Sequence, residues 1–240
     1  VIRSEGRRFP VETTFLGSGS NRDRIADRTV SATLRALDEN PGSSVLVFLP
    51  GQGEITRVLG GLSGRVGADV SVRPLYGNLS LEDQQAAIRP SVPGERKVVL
   101  ATNIAETSLT IDGVDVVVDS GLVRESIFDP GTGMSRLTTR NVSQASATQR
   151  EGRAGRLRPG RCYRLWSRDR HDQLARHSEP EILNADLAPL ALTLFDWGIG
   201  DPADLDWLDP PPRGAWAQGL ELLDRLGALT GAKDALTAHG

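Results

Sequence analysis

Val98-Val99-Leu100-Ala101-Thr102-Asn103-Ile104-Ala105-Glu106-Thr107-Ser108-Leu109-Thr110-Ile111-Asp112-Gly113-Val114-Asp115-Val116-Val117-Val118 passes from one short apolar segment to another through a loop of small polar residues. The two ends, 98–101 and 114–118, are too continuously apolar for a half-exposed strand and suit strands covered on both faces. Val45-Leu46-Val47-Phe48-Leu49, closed by Pro50-Gly51, is a third segment of the same kind. Between these strands the period changes. Ala26, Val30, Leu34 and Leu37 recur at helical spacing before Val45, and Ile55, Leu59 and Leu62 do so after it. Val70 to Pro74 is a further strand, and Ser80-Leu81-Glu82-Asp83 has the form of a capping box opening a helix to Ile88. This alternation of strand and helix predicts an α/β domain with a mostly parallel sheet flanked by helices. Ligands of such sheets sit beyond the carboxyl ends of the strands, which is where Thr102 begins.

Farther along, Asp129-Pro130-Gly131-Thr132-Gly133 is turn chemistry between the extended runs Leu122 to Phe128 and Met134 to Arg140, predicting a projecting β-hairpin. Ser143 is placed to cap a helix running through Gln149 toward Gly155, and Arg161 to Ser167 returns as a strand. After residue 178 the composition shifts. Leu187, Leu190, Leu194 and Trp197, then Trp216, Leu220, Leu223 and Leu226, mark helices separated by Asp209-Pro210-Pro211-Pro212. The chain therefore divides into a first domain over 1–167 and a small, mostly helical unit over 178–240, with Trp197, Trp207 and Trp216 as expected core anchors. A start at Val1 that reads like mid-chain sequence suggests a fragment.

Composition excludes several classes. A hydrophobic fraction of 38% with 25% charged residues is ordinary globular usage, enough for a real core. A single cysteine, Cys162, excludes a disulfide framework and points to a reducing, cytoplasmic setting. No apolar run approaches the roughly 18 residues of a membrane span. A net charge of −3 argues against a protein that coats nucleic acid, but not against a local basic groove. The histidines, His171, His177 and His239, show no metal-ligand spacing.

The densest chemistry lies at Gln149-Arg150-Glu151-Gly152-Arg153-Ala154-Gly155-Arg156. Three arginines stand three apart among two glycines. Guanidinium forks suit phosphate oxygens, and glycines leave the backbone bare for close approach. On a helix, residues three apart lie about 60° from each other, so Arg153 and Arg156 could share a face and neutralise a transferring γ-phosphoryl group, as arginine fingers do. Gln149, a turn earlier, could orient a water. Yet the sequence has no G-x-x-x-x-G-K-[ST] loop, and no lysine directly follows a glycine. It carries groups that complete phosphate chemistry and none that begin it.

Thr102-Asn103-Ile104-Ala105-Glu106-Thr107-Ser108 followed by Gln149 to Arg156 resembles motifs V and VI of the DEAH-box (DEAH/RHA) ATP-dependent RNA helicases. Val47-Phe48-Leu49-Pro50-Gly51 resembles their motif IV, and Pro74-Leu75-Tyr76-Gly77-Asn78-Leu79 the segment after it. Ser178 to Leu183 and Trp207-Leu208-Asp209-Pro210-Pro211 are similar to the bacterial HrpB branch. The resemblance implies that 1–167 is the second RecA-like domain of a two-domain motor. It implies that 178–240 begins a degenerate winged-helix-like region, and that the first RecA-like domain, with ATP and Mg²⁺ mainly in its hands, lies outside this chain. By position Arg153 and Arg156 would be the fingers, and Gln149 would meet the γ-phosphate or water. Ser108 would relay nucleotide state and Asp112 would hold the ribose. Thr102 and Asn103 would touch RNA backbone, with Gly77 and Asn78 beside them. The hairpin near Val123 to Thr139 would act as a wedge. Ile88 stands where many relatives carry an adenine-stacking Phe; an aliphatic side chain offers a base no π overlap, consistent with use of any NTP. The implied partners are RNA and the chain's own N-terminal RecA-like domain, in a monomer. The contrasting expectation is a stand-alone nucleic-acid-binding or adaptor module without ATPase activity.

Overall fold

The structure, a computed structural model, describes residues 9–17, 25–107, 111–129, 131–230 and 235–240. Ser108, expected to relay nucleotide state, lies outside the described residues. The described chain forms two compact units. One comprises residues up to 124 together with 139–178; the other comprises 125–138 with 179–240.

In the first unit the elements follow the order β1 (Val11–Phe15), α1 (Ile25–Glu39), β2 (Ser44–Phe48), α2 (Gln52–Leu62), β3 (Val70–Leu75), α3 (Leu81–Ile88), β4 (Arg96–Ala101) and β5 (Val114–Asp119). The hairpin strands β6 (Leu122–Asp129) and β7 (Met134–Asn141) come next, and each runs from one unit into the other. The unit closes with α4 (Gln144–Glu151), β8 (Gly160–Arg164) and α5 (Arg168–Asp172). Among the described residues six strands make one sheet in the order β1-β8-β5-β2-β4-β3, and all its pairings are parallel.

The period of two along each central strand explains the layers. Val45 and Val47 of β2, with Val98 and Leu100 of β4 and Val116 and Val118 of β5, turn to one face, where Ala26, Val30 and Ala36 of α1 and Val58 and Leu62 of α2 cover them. The intervening Leu46 and Phe48, Val99 and Ala101, and Val117 turn to the other face, against Ala87 of α3, Ile111 and Ala154. Both faces are covered, so the strands read as continuous apolar runs rather than alternating ones. Cys162 is buried on the second face, where desolvation pushes its thiol well up. Ser80 accepts from Asp83 N at 3.1 Å as the cap of α3, and its hydroxyl also donates to the Asp83 carboxylate at 2.7 Å.

Strand β1 carries no apolar run. Glu12-Thr13-Thr14 occupies a sheet edge, paired with β8 alone, where full burial is not required. The second difference concerns α4. Ser143 caps it as expected, accepting from Ser146 N at 3.1 Å, but the helix stops at Glu151 instead of continuing toward Gly155. In the second unit α6 (Ala188–Asp196) and α7 (Arg213–Arg225) pack through Leu187, Ala191, Leu194, Trp216 and Leu223. Trp207 is half-buried there and donates its indole N–H to Pro202 O at 2.6 Å. Trp197 does not anchor this core: it ends α6 and is 67% exposed. Phe128 of β6 donates its N–H to Asn184 O at 2.9 Å, which ties the hairpin's outer half to this unit.

Candidate phosphate and nucleic-acid site

Three loops leave the sheet side by side at the carboxyl ends of neighbouring strands. Ala101 of β4 is in register with Leu75 of β3 on one side and Phe48 of β2 on the other. Past Leu75 the chain turns through exposed Gly77 and Asn78. Past Ala101 it enters half-buried Thr102 and exposed Asn103, which opens a single 3₁₀ turn, Asn103–Ala105. The Thr102 N–H is already committed to Leu75 O at 3.2 Å, so its hydroxyl is the group left to meet a ligand. After Phe48 the third loop reaches Gly51, where Arg124 lies so close that an added Cβ would sit 2.5 Å from its Nη1. Glu54 pairs with Arg124 at 3.4 Å. Arg124 lies far from Gly51 along the chain, so spacing alone gives no sign of this contact.

The 3₁₀ turn delivers Glu106, whose N–H donates to Asn103 O at 2.9 Å. Its carboxylate accepts from Arg150 Nε at 3.0 Å, and its carbonyl accepts from Arg153 Nη2. Glu106 thus joins the loop after β4 to the arginine stretch after α4. The sequence placed it inside a motif but gave it no role.

The three arginines are not equivalent. Arg150 is 1% exposed: besides Glu106 it donates from Nη1 to Asp119 Oδ1 at 2.9 Å and to Leu122 O at 3.2 Å, and its guanidinium stands 4.9 Å over the Phe48 ring. Arg153 is also buried, whereas Arg156 and Gln149 are exposed. Burial, then the charge of Arg156, lowers the Arg153 guanidinium from its ordinary value, and Glu106 opposes both. Arg153 is therefore a partly desolvated cation, with exposed Arg156 three residues on in the same turn region.

They are not brought together by a helix face. Past Glu151 the backbone tightens into turns, with Arg153 N bonded to Arg150 O at 3.1 Å and Ala154 N to Glu151 O at 3.0 Å. Close approach at Gly155 comes from the chain itself and not from another surface. A Cβ there would lie 2.6 Å from Phe9 O and 2.8 Å from Val11, while Phe9 N donates to Gly155 O at 3.0 Å. Because a backbone carbonyl cannot swing aside, Gly155→Ala should cost about 1–3 kcal/mol of stability. A urea midpoint equal to that of the wild-type chain would contradict this account.

A separate group forms at the opposite end of β4. Ile88 is the last, half-buried residue of α3, and exposed Asp112 precedes β5. Lys97, 2% exposed, reaches α3 and donates to Ile88 O at 3.2 Å. Burial lowers its ammonium from the ordinary value, and the Asp112 charge pulls it back up.

Comparison with known proteins accords with this arrangement. The family described as "Helicase conserved C-terminal domain" matches residues 28–158. ATP-dependent RNA helicase HrpB of Escherichia coli strain K12 is 51% identical over the whole chain, which corresponds to 29% of that protein. The probable ATP-dependent RNA helicase DHX34 of Mus musculus is 37% identical, again across the whole chain and over 22% of its own length. A crystal structure of E. coli DEAH/RHA helicase HrpB superposes with a TM-score of 0.89 at 50% identity, covering 98% of this chain and 29% of that one. The chain spans less than a third of the curated relatives it matches.

Proposed function

Because this chain belongs to the helicase conserved C-terminal domain family, we propose that it is the C-terminal motor half of an ATP-dependent RNA helicase. It supplies arginine fingers and RNA-backbone contacts to a site that a first RecA-like domain completes. The observation that carries the reading is the turn after α4, which holds Arg153 against the Glu106 carbonyl and leaves Arg156 exposed three residues on. Two guanidinium groups in one short turn suit an anion of high charge, and the γ-phosphate of a bound NTP is the natural one. The donor set here is cationic and suits phosphate oxygens rather than a metal ion. The Mg²⁺ of ATP therefore falls to the first domain. In this chain Asp112 would accept from the ribose hydroxyls, and Ile88 would pack on the base. When ATP is bound between the domains it supplies the phosphoryl group to be transferred.

RNA would run along the carboxyl edge of β3 and β4, with the Thr102 hydroxyl, the Asn103 and Asn78 amides and the bare backbone at Gly77 meeting phosphates and sugars. Glu106 is what makes one machine of the two ends. It follows the RNA-contacting turn directly and holds Arg153 by its carbonyl. A shift of that turn on RNA would be transmitted to the finger within a few residues.

The test compares the chain alone with the chain joined to its first RecA-like domain. By itself it should bind nucleotide weakly and hydrolyse none; with the added domain it should hydrolyse ATP and be stimulated by RNA. If the upstream coding sequence holds no Walker A motif and the joined protein stays inert while still binding RNA, the stand-alone binding module is the correct reading.

A further inference from the structure

We propose that Lys97 is a positioning residue for the nucleoside end of the NTP site, fixing Ile88 under the base through a three-way cap on α3. The proposal rests on the nucleoside roles given above to Ile88 and Asp112.

The end of α3 poses a local problem. Arg89 leaves the helix with φ −53° and ψ 147°, as the residue before Pro90 must. The last carbonyls then have no partners within the helix. Lys97 solves this from the neighbouring strand. Its Nζ donates to Ala87 O at 2.9 Å, Ile88 O at 3.2 Å and Arg89 O at 2.6 Å. An ammonium has three N–H donors, so every donor is used on consecutive carbonyls and none remains for a ligand. The cation also sits at the negative end of the helix dipole. Its own backbone is fixed in turn, Lys97 N donating to Ser44 Oγ at 3.1 Å.

A helix end can be closed by one glycine or by water; a buried lysine is a costly choice for structure alone. What distinguishes this end is the side chain it carries. Ile88 packs its inner side on the core of the second sheet face and keeps its outer side half-exposed. With its carbonyl held, its position above the surface is held too. Asp112, the charge that opposes the desolvation of Lys97, is the residue assigned to the ribose. Lys97 therefore governs the contact at the base and none at the phosphate end.

The experiment uses the full-length protein that carries this chain. Lys97→Met keeps the length of the side chain and removes every donor. Its KM for ATP should rise about tenfold, with kcat at saturating ATP and RNA changed by less than about twofold. Inorganic tripolyphosphate, which lacks a nucleoside, should inhibit the variant and the wild type equally. Lys97→Arg, which restores a cation and N–H donors, should recover part of the KM. A merely structural lysine would instead lower the melting temperature and kcat while leaving KM alone, and that outcome overturns the proposal. If Lys97→Met does not fold, Lys97→Gln, with two donors and no charge, is measured against the same expectation. Asp112→Ala and Ile88→Ala separate the two ideas. If they leave the KM for ATP unchanged, the nucleoside assignment has failed. If they raise it and Lys97→Met does not, Lys97 alone has failed.

Discussion

Replacing Arg156 with alanine in the full-length protein should lower RNA-stimulated NTP hydrolysis by about 10³–10⁵-fold, the range expected when an arginine finger is lost. RNA affinity and melting temperature should stay near wild type. Both halves follow from where the residue lies. Arg156 is exposed in the turn after α4, so truncating it costs the fold little, within about 0.5 kcal/mol. It nevertheless follows Arg153 by three residues in the same turn region, which is the place proposed above for the two fingers. The companion variant needs more care. Arg153 is buried and donates to Glu106 O, so Arg153→Ala removes a hydrogen bond of the folded chain as well as the proposed finger. Arg153→Lys keeps the charge but not the planar fork, and should lose most of the rate with less loss of stability. Stopped-assay rates at saturating ATP and RNA, beside thermal unfolding of each variant, distinguish the two causes. Normal turnover in both Arg156→Ala and Arg153→Lys would end the finger assignment.

The sequence carried the parallel sheet because β2, β4 and β5 are covered on both faces, so their apolar runs are unbroken and short. It did not carry β1, whose Glu12, Thr13 and Thr14 face the looser demands of an edge. The end of α4 at Glu151 is hidden for a similar reason. Arg153 and Arg156 stand at helical spacing, but the need for Gly155 comes from Phe9, which lies far off in sequence. Residue types and spacing identified the finger candidates and the residues at the strand ends. They could not identify Glu106 as a junction or Lys97 as a cap, because each acts through backbone carbonyls or partners that only the folded chain brings near. A slight signal existed for Lys97: the chain has only two lysines, and this one enters an apolar strand.

Arg150 is a structural tie and not a finger, and it carries the largest stability effect expected here. It sits among the finger arginines, yet its side chain is 1% exposed and its bonds run to Glu106, Asp119 and Leu122 O. Asp119 depends on it. That carboxylate is fully buried; Oδ1 accepts from Arg150 and from Gly121 N at 2.8 Å, while Oδ2 has no partner. Arg150→Met would leave this carboxylate in a dry interior with one backbone donor. Breaking a buried pair from one side costs about 3–5 kcal/mol, a large share of the roughly 5–15 kcal/mol that holds a domain folded. Lysine cannot substitute, since a single ammonium does not span Glu106 and Asp119 together in the manner of a guanidinium fork. Urea unfolding of the chain should show the loss directly. The double variant Arg150→Met/Asp119→Asn should recover part of it, because the second change removes the stranded charge. The loop after β4 would loosen as well, since Glu106 loses its side-chain anchor while its carbonyl still holds Arg153. An Arg150→Met chain with an unchanged urea midpoint would mean that Arg150 is not a structural tie.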